Sequence, residues 1–445
     1  MINLFDQYDQ LTKDLHYSLQ QAGYDYPTVV LDDNGFLPDK VQSPYGYFLG
    51  TEDVTSKPRF FNQIEKPTYW EIIADNQGAA VYDKGKKRAR IFYANQGYRI
   101  VRTVEWLDLN EKVRSIDYYN QYGRRYAHTV FDKEQQPAMT TYFSVDGQEK
   151  IVENHLTSDI ILNDQKQIHI FKSKIEFIHH YFEVAQLDYQ TILYNRLSLP
   201  FFVSYNLREN GIDILFWQES IEQDIPGNMQ LLLTETTRTK KIVVQNQNAY
   251  ARLTELLKDQ ELSVSIEPLG FIYPFERENQ GTNNILIATN SDQIEYLEEL
   301  IVACPQAYFH IAAITEMSEK LLDKAKYANV TLYPNIALKR LADLYKTCDI
   351  YLDINHSDEL MNAIREAFIH NLVILAFDNT VHRRDFIAPE FIFDRENWQA
   401  MAQLVEQLCL DRVITQEALR RQNQTAWGMS AADYQNVLGI VENEK

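Results

Sequence analysis

Cysteine and long apolar runs are scarce in this sequence, and both shortages narrow the kind of protein it encodes. The three cysteines among 445 residues, Cys304, Cys348 and Cys409, stand singly at no metal-binding or redox spacing. We therefore expect buried thiols in a reducing compartment. The sequence contains no run of about 18 apolar residues, so we expect no membrane-spanning helix. The N-terminus has neither the basic start nor the apolar core of a signal peptide. These absences predict a cytoplasmic protein.

Motifs for metals, phosphates and nucleophiles are also missing. The ten histidines form no HExxH or similar ligand spacing. There is no P-loop, no GxSxG and no GxGxxG after a predicted strand, which are the patterns that such sites usually require. We expect no metal and no cofactor.

Positive charge is in deficit, since 43 Lys and Arg stand against 63 Asp and Glu for a net charge of −20. A field of this sign repels phosphate backbones, so we expect no nucleic-acid partner. One local exception is a cluster of five cations around Gly85: Lys84, Lys86, Lys87, Arg88 and Arg90. Its strand-like flanks indicate a solvated hairpin tip, while contact with anionic lipid of the cell membrane or with an acidic partner stays open.

The first part of the chain alternates helices and strands around an insertion. Leucines at i+4 spacing predict a helix over Leu4–Gln21, and Thr28–Leu31 reads as a buried strand. Alternation resumes from Ile168, with Ser173 as a predicted helix cap. Residues 1–65 and 165–275 are therefore predicted to form one N-terminal Rossmann-like domain.

Residues 66–164 differ in pattern. Short runs rich in aromatic residues are separated by seven turn clusters, which predicts an inserted antiparallel β-meander. Aromatics on both faces require a covering body: the rest of the chain, a second subunit or an acceptor polypeptide. Tyr118 and Tyr126 are the predicted exposed residues for docking a partner.

Beyond a polar stretch at 276–284, read as a hinge, five continuous apolar strands alternate with helices up to residue 430. This pattern predicts a second Rossmann-like domain with ligands beyond the strand C-termini. A last helix within 431–445 is expected to close the fold, with a crossing back to the first domain as an open alternative.

The most informative segment of this second domain pairs two acids, Asp358 and Glu366, ahead of the buried run Leu372–Phe377. On an ideal helix such a pair is separated by about 12 Å along the axis, which suits the two ends of a sugar nucleotide. Three interpretations stay open: surface charges favoured by the helix dipole, a vestigial nucleotide site, and an active donor site. His382-Arg383-Arg384 is a second candidate for receiving phosphate, with a solvated loop as its alternative.

The two α/β halves, the inserted meander and the Asp358-x7-Glu366 segment resemble the GT-B fold of retaining glycosyltransferases. More closely, nearly the whole chain resembles the non-catalytic subunit of a two-subunit bacterial transferase. That enzyme adds the first N-acetylglucosamine to Ser and Thr of serine-rich-repeat adhesins before accessory Sec export. The resemblance implies a fold class of α/β, GT-B-like, with two Rossmann-like domains and an inserted antiparallel β-meander domain, and it implies that the N-terminal Rossmann-like domain lies on the acceptor side.

The resemblance also implies a damaged donor site. Active relatives place an Arg and a Lys after the first donor-domain strand and a Gly beside the first acid. Here Ala288–Glu295 contains two acids and no cation, and the bulky run Glu359–Met361 follows Asp358. Glu366 matches the ribose-binding acid, whereas Asp358, one methylene shorter than the usual Glu, matches the sugar-contacting acid only by position.

We therefore predict a non-catalytic subunit, with no catalytic residue, that stabilises a catalytic homologue and binds a Ser/Thr-rich adhesin polypeptide at residues not yet assigned. The alternatives are an autonomous retaining glycosyltransferase and a scaffold without acceptor binding.

Overall fold

The computed structural model describes residues 1–50, 56–75, 78–95, 99–164, 167–221, 224–258 and 260–439. They divide into two compact units, Met1–Leu269 and Gly270–Lys445. The division precedes the predicted boundary at residue 276. The predicted turns at 76–78 and 95–97 and the last residues of the predicted C-terminal helix fall wholly or partly outside the described residues.

The strands of the first unit are β1 Ile2–Gln7, β2 Thr28–Asp32, β3 Val41–Gln42, β4 Glu71–Ala74, β5 Gly78–Asp83, β6 Lys86–Asn95, β7 Ile100–Leu107, β8 Val113–Tyr119, β9 Arg125–Phe131, β10 Pro137–Phe143, β11 Glu149–Asn154, β12 Ile160–Asp164, β13 Gln167–Phe171, β14 Ile192–Tyr194, β15 Asp213–Trp217, β16 Thr239–Val244 and β17 Ser265–Pro268. Its α-helices are α1 Gln10–Gln21, α2 Pro44–Leu49, α3 Lys174–Val184, α4 Leu199–Tyr205, α5 Gly227–Thr234 and α6 Gln247–Leu256.

Seven of these strands form a parallel sheet in the order β17-β16-β15-β14-β1-β2-β3. The predicted helix over Leu4–Gln21 is wrong in its first part, because Ile2–Gln7 is the strand β1 and α1 begins only at Gln10, where Asp9 accepts a hydrogen bond from the Thr12 amide at 3.0 Å. The reason is long-range: Ile2 pairs with Ile192 in β14, a contact that leucine spacing does not reveal. Ser173 caps α3 as predicted.

The insertion is a ten-stranded antiparallel sheet, hereafter the meander, in which each strand pairs with its sequence neighbour from β4 to β13. It extends past the predicted end at residue 164, because β13 pairs with β12. The cation cluster lies at the predicted hairpin tip, where Lys84 and Gly85 both have positive φ. Such a turn matches the twist of its strands.

Both faces of the meander are partly covered by the chain itself. On one face Tyr45 of α2 stacks on Tyr142 with ring centroids 4.5 Å apart, and Ile151 and Leu162 join the core of the parallel sheet. On the opposite face Ile64, from the segment ahead of β4, packs over strands β5 to β7. The covering body is thus, for these parts of the sheet, the rest of the chain.

The second unit has the strands β18 Asn284–Ala288, β19 Tyr308–Ala312, β20 Val330–Tyr333, β21 Ile350–Asp353, β22 Val373–Phe377 and β23 Ile392–Phe393. Its α-helices are α7 Leu297–Ala303, α8 Glu319–Leu322, α9 Leu338–Thr347, α10 Ala363–Ile369, α11 Trp398–Leu410, α12 Arg412–Thr425 and α13 Ala431–Leu438. The strands form a parallel sheet in the order β20-β19-β18-β21-β22-β23. All five predicted strands are present, and β21 and β22 are fully buried as their apolar runs indicate.

The polar stretch read as a hinge is anchored inside the second unit. The buried carboxylate of Asp349 accepts hydrogen bonds from the amides of Gln280 at 3.0 Å and Thr282 at 2.6 Å, and it pairs with the guanidinium of Arg277. At the other end of the unit, Tyr434 of α13 donates to the Gly270 carbonyl at 2.8 Å. A crossing of the last helix to the first unit stays a prediction.

Among the described residues no helix has the length and apolar character needed to cross a membrane. Cys304 and Cys348 are buried, Cys409 is partly buried, and all three are free thiols.

Candidate functional site

The two acids of the Asp358-x7-Glu366 segment do not share a helix. Met361 and Asn362 both have positive φ, of 49° and 59°, so α10 begins only at Ala363 and Asp358 lies in the loop before it. The separation estimated from an ideal helix therefore does not apply. Asp358 is exposed and Glu366 is partly exposed, in the first turn of α10.

Glu366 lies in a mixed environment. Burial raises the pKa of its carboxyl, while the neighbouring His370 opposes that shift. The His370 ring also faces Glu276, with Nε2 and the carboxylate 3.3 Å apart. A carboxyl held in this way can accept hydrogen bonds from hydroxyl groups, which is what ribose binding requires.

The loop beyond β22 is closed over the sheet edge by His382. Its ring Nδ1 donates to Asp353 at 2.6 Å and its Nε2 donates to the Ser357 carbonyl at 2.6 Å, while its backbone amide donates to Asp353 at 2.8 Å. The hydrogen bond with Asp353 raises the pKa of His382 to about 9, although burial opposes the rise. His382 is therefore a cation at neutral pH, and its positive charge pairs with the Asp353 carboxylate.

Raising the pH from 6.5 to 9.5 should weaken the second unit through this pair. Because the folded-state pKa is raised above the unfolded value near 6.5, the contribution is full below about pH 6.5 and is lost as the pH rises through about 9. We expect the free energy of unfolding to fall by about 1–3 kcal/mol more in the native chain than in His382→Gln over this range. Urea unfolding at each pH measures it, and parallel profiles for the two proteins would contradict the assignment.

The cation of Arg395 is likewise bound internally. Glu295, which follows β18, accepts from His356 Nε2 at 2.6 Å, from Asn379 at 3.1 Å and from Arg395 at 3.3 Å. Burial favours the neutral acid, but these partners outweigh it and lower the pKa of Glu295. The carboxylate is thus held ionised by groups of the chain.

The second phosphate candidate is also engaged. Arg383 pairs with Asp385 at 2.7 Å and lies over the Phe386 ring at 4.5 Å, and Arg384 donates to the Asp378 carbonyl at 3.3 Å. Together with His382, all three residues of this run have partners in the chain.

A cavity of 340 Å³ lies where β18 and β19 end. Asn290, Ser291 and Asp292 line it after β18, and Glu316 lines it after β19. No basic residue occurs among its lining residues in the part of the chain that the structure describes. Among the same residues, no cluster of three or more His, Cys, Asp or Glu has the geometry to hold a metal ion.

The expected exposure of the two docking tyrosines is wrong for Tyr126 and only partly met by Tyr118. Tyr126 is 7% exposed, and its hydroxyl donates to the Asp33 carbonyl at 3.0 Å. Tyr118 is partly buried beside it, with ring centroids 6.3 Å apart. These positions on β8 and β9 face the end of β2. The role of the two tyrosines in docking a partner stays a prediction. The contacts of Tyr126 are those of a residue that stabilises the fold.

A second concave site, which sequence patterns did not reveal, lies between the meander and the end of β2. The cavity has a volume of 430 Å³ and is bordered by Asp33, Arg102, Thr103 and Tyr118 on one side. Its floor is a row of paired residues on three strands, Thr129, Thr140 and Glu153. Their alternation along β9, β10 and β11 was visible in the sequence, but the register that aligns them was not.

The fold is the GT-B-like architecture of glycosyltransferases, and basic side chains beyond the ends of β21, β22 and β23 are held by acids of the chain itself. Family models match four successive segments: the GtfB N-terminal domain at 2–48, the GtfB middle domain at 70–172, the GtfB third domain at 174–256 and the GftB/GlyA-F C-terminal domain at 285–422. The chain belongs to the GtfB family.

Two relatives and one solved structure show how close this membership is. The chain is 45% identical to the UDP-N-acetylglucosamine–peptide N-acetylglucosaminyltransferase stabilizing protein GtfB of Streptococcus gordonii, over 98% of each chain. It is 40% identical to the protein of the same name from Limosilactobacillus reuteri, over 100% of each. A crystal structure of a GtfA/B complex bound to UDP and GlcNAc contains a chain with 45% identity and a TM-score of 0.93, covering 98% of this chain and 99% of that one. The predicted family and fold class are confirmed.

Proposed function

We propose that this chain is the non-catalytic, stabilising subunit of a UDP-GlcNAc–polypeptide transferase complex. It pairs with a catalytic glycosyltransferase homologue and binds the Ser/Thr-rich adhesin polypeptide that receives the first N-acetylglucosamine before accessory Sec export. The relatives' name as stabilizing proteins and the related chain in the GtfA/B complex support this proposal.

The observation that carries the non-catalytic part is that three basic side chains at the proposed donor edge, beyond the ends of β21, β22 and β23, are engaged within the chain. His356, His382 and Arg395 each bind an acid of the chain itself. A leaving nucleoside diphosphate needs cations or preorganised donors. Two unit charges about 4 Å apart interact by about 4 kcal/mol at an effective dielectric near 20, and each 1.4 kcal/mol is tenfold in rate. Loss of one such contact slows transfer by about three orders of magnitude.

The meander is the proposed docking element for the partner, and Asp358 and Glu366 are the proposed remnant of the donor site. The proposed location is the cytoplasm, with weak peripheral contact at the membrane. At the hairpin tip Arg88 pairs with Asp83 and Arg90 pairs with Glu105. The three lysines of the cluster are the cations that remain to contact a membrane. At about 1 kcal/mol per lysine near an anionic surface, such contact is transient. Flotation of the complex with anionic and neutral vesicles tests this part.

Transfer from UDP-GlcNAc to a Ser/Thr-rich peptide should be at least about 1,000-fold slower with the purified chain alone than with the complex, because the basic side chains at the proposed donor edge already bind acids of the chain. Glu366→Ala in the complex should leave the rate within about twofold, as should the matched control Glu276→Ala beside the same His370. Single-turnover assays with radiolabelled donor measure both. Robust transfer by the isolated chain that disappears in Glu366→Ala would establish an autonomous transferase and overturn the proposal.

A further inference from the structure

The cavity between the meander and the end of β2 has polar groups of two kinds. Those at its floor are satisfied within the chain. Glu153 is 5% exposed and binds Lys174 at 2.9 Å and the Tyr45 hydroxyl at 3.2 Å. Thr140 bridges Thr129 and His155 at 2.7 Å each. A floor of this kind presents no unpaired charge to a ligand.

The carboxyl of Asp33 is also engaged by groups of the chain. It accepts from the Ser43 hydroxyl at 2.5 Å and from the Gly35 amide at 2.7 Å. Burial raises the pKa of this carboxyl, although both hydrogen bonds oppose the rise. Asp33 therefore shapes the wall of the cavity, and the neighbouring carboxylate of Asp32, which also lines it, accepts a hydrogen bond from Gln7 at 3.0 Å.

The mouth of the cavity differs from its floor. Arg102 is exposed and Thr103 is partly exposed, next to each other on β7. In the part of the chain that the structure describes, no hydrogen bond or ion pair holds either side chain. The guanidinium offers five donors for peptide carbonyls or hydroxyls, and the threonine hydroxyl both donates and accepts. Phe131 and Pro137 add apolar surface to the same cavity.

We propose that this cavity is the acceptor subsite of the chain and that it binds uncharged, hydroxyl-bearing side chains of an extended Ser/Thr-rich polypeptide. Arg102 and Thr103 hydrogen-bond the peptide, and Phe131 and Pro137 contact its methyl and methylene groups. A volume of 430 Å³ lies within the roughly 300–1,000 Å³ that ligand pockets span. This inference rests on the acceptor-binding part of the proposed function and gives it a position and a chemistry.

The test measures binding of a fluorescent, uncharged peptide of about 20 Ser, Thr and Ala residues to the full complex without donor. Arg102→Ala should weaken binding about tenfold, which is the loss expected when a charged donor is removed. Thr103→Trp, which fills the mouth, should weaken it at least as much. Arg114→Ala is the matched control, because Arg114 is an exposed arginine on the neighbouring strand β8 that does not line the cavity.

Three outcomes would overturn the inference. Equal binding by the native complex and both cavity variants removes the site but leaves acceptor binding, and thus the proposed function, intact. Equal affinity for a peptide with every Ser and Thr replaced by Ala removes hydroxyl recognition. No binding to the native complex, with the partner still co-purifying, removes acceptor binding and this subsite together while the stabilising role survives. Circular dichroism of each variant confirms that it is folded.

Discussion

Arg238→Met is expected to lower the free energy of unfolding of the first unit by about 3–5 kcal/mol, because it leaves a buried carboxylate without its counter-charge. Asp213 begins β15, and Arg238 directly precedes the neighbouring strand β16. The guanidinium donates to both carboxylate oxygens at 2.9 and 3.0 Å. Asp213 is completely buried. It also accepts from Ser204 at 2.6 Å and from the Ile192 amide at 3.0 Å.

The matched control is Arg252→Met, which breaks an exposed ion pair with Glu255 on α6. Exposed pairs contribute about 0–1 kcal/mol, so this variant should stay within that range of the native chain. Hydrogen exchange of amides in β15 and β16 reports the stability of the first unit separately from the second. Equal protection in the two variants would show that the buried pair does not stabilise the sheet.

Asp349→Ala should lower the free energy of unfolding of the second unit by a comparable amount, about 3–5 kcal/mol. The substitution leaves the Arg277 guanidinium without its counter-charge and two backbone amides without acceptors. Those amides belong to Gln280 and Thr282, which Asp349 holds against the end of α9. Asp349→Asn keeps an acceptor for only one of the two amides, because Oδ1 binds Gln280 and Oδ2 binds Thr282, and its free energy of unfolding should lie between those of the native chain and Asp349→Ala. Exchange protection at Gln280, Thr282 and the β21 amides measures both variants, and an unchanged Asp349→Ala would mean that the polar stretch is free to move.

The second sheet was predictable because its strands are continuous apolar runs, and such runs indicate burial on both faces wherever they occur. Strand β1 was not, since Ile2–Gln7 is short and its partners Thr28 to Asp32 and Ile192 to Tyr194 lie far along the chain. Local spacing of leucines therefore favoured a helix. The meander followed from its turn residues, whose chemistry is local.

Only the identities and positions of the site residues could be predicted from the sequence, and not their contacts. The positions of Asp358 and Glu366 and the missing cation after β18 could be read directly from the sequence. The pairing of Glu295 with Arg395, 100 residues later, could not, because nothing local specifies which acid a given arginine meets. The same limit applies to Tyr126, whose burial depends on the contact of β9 with Asp33.

The strand order of the first unit also determines which of its parts can fold first during translation. Strand β1 lies in the middle of the parallel sheet, yet its partner β14 begins 190 residues later, at the pairing of Ile2 with Ile192. At roughly 5–20 residues per second, the ribosome reaches that partner roughly 10–40 s after β1 emerges. The meander is translated during this interval and pairs only with its own neighbours. The meander can therefore complete its hydrogen bonding before β14 has been synthesised and the parallel sheet can form. During that time β1 and β2 are the segments that a nascent chain must keep from aggregating.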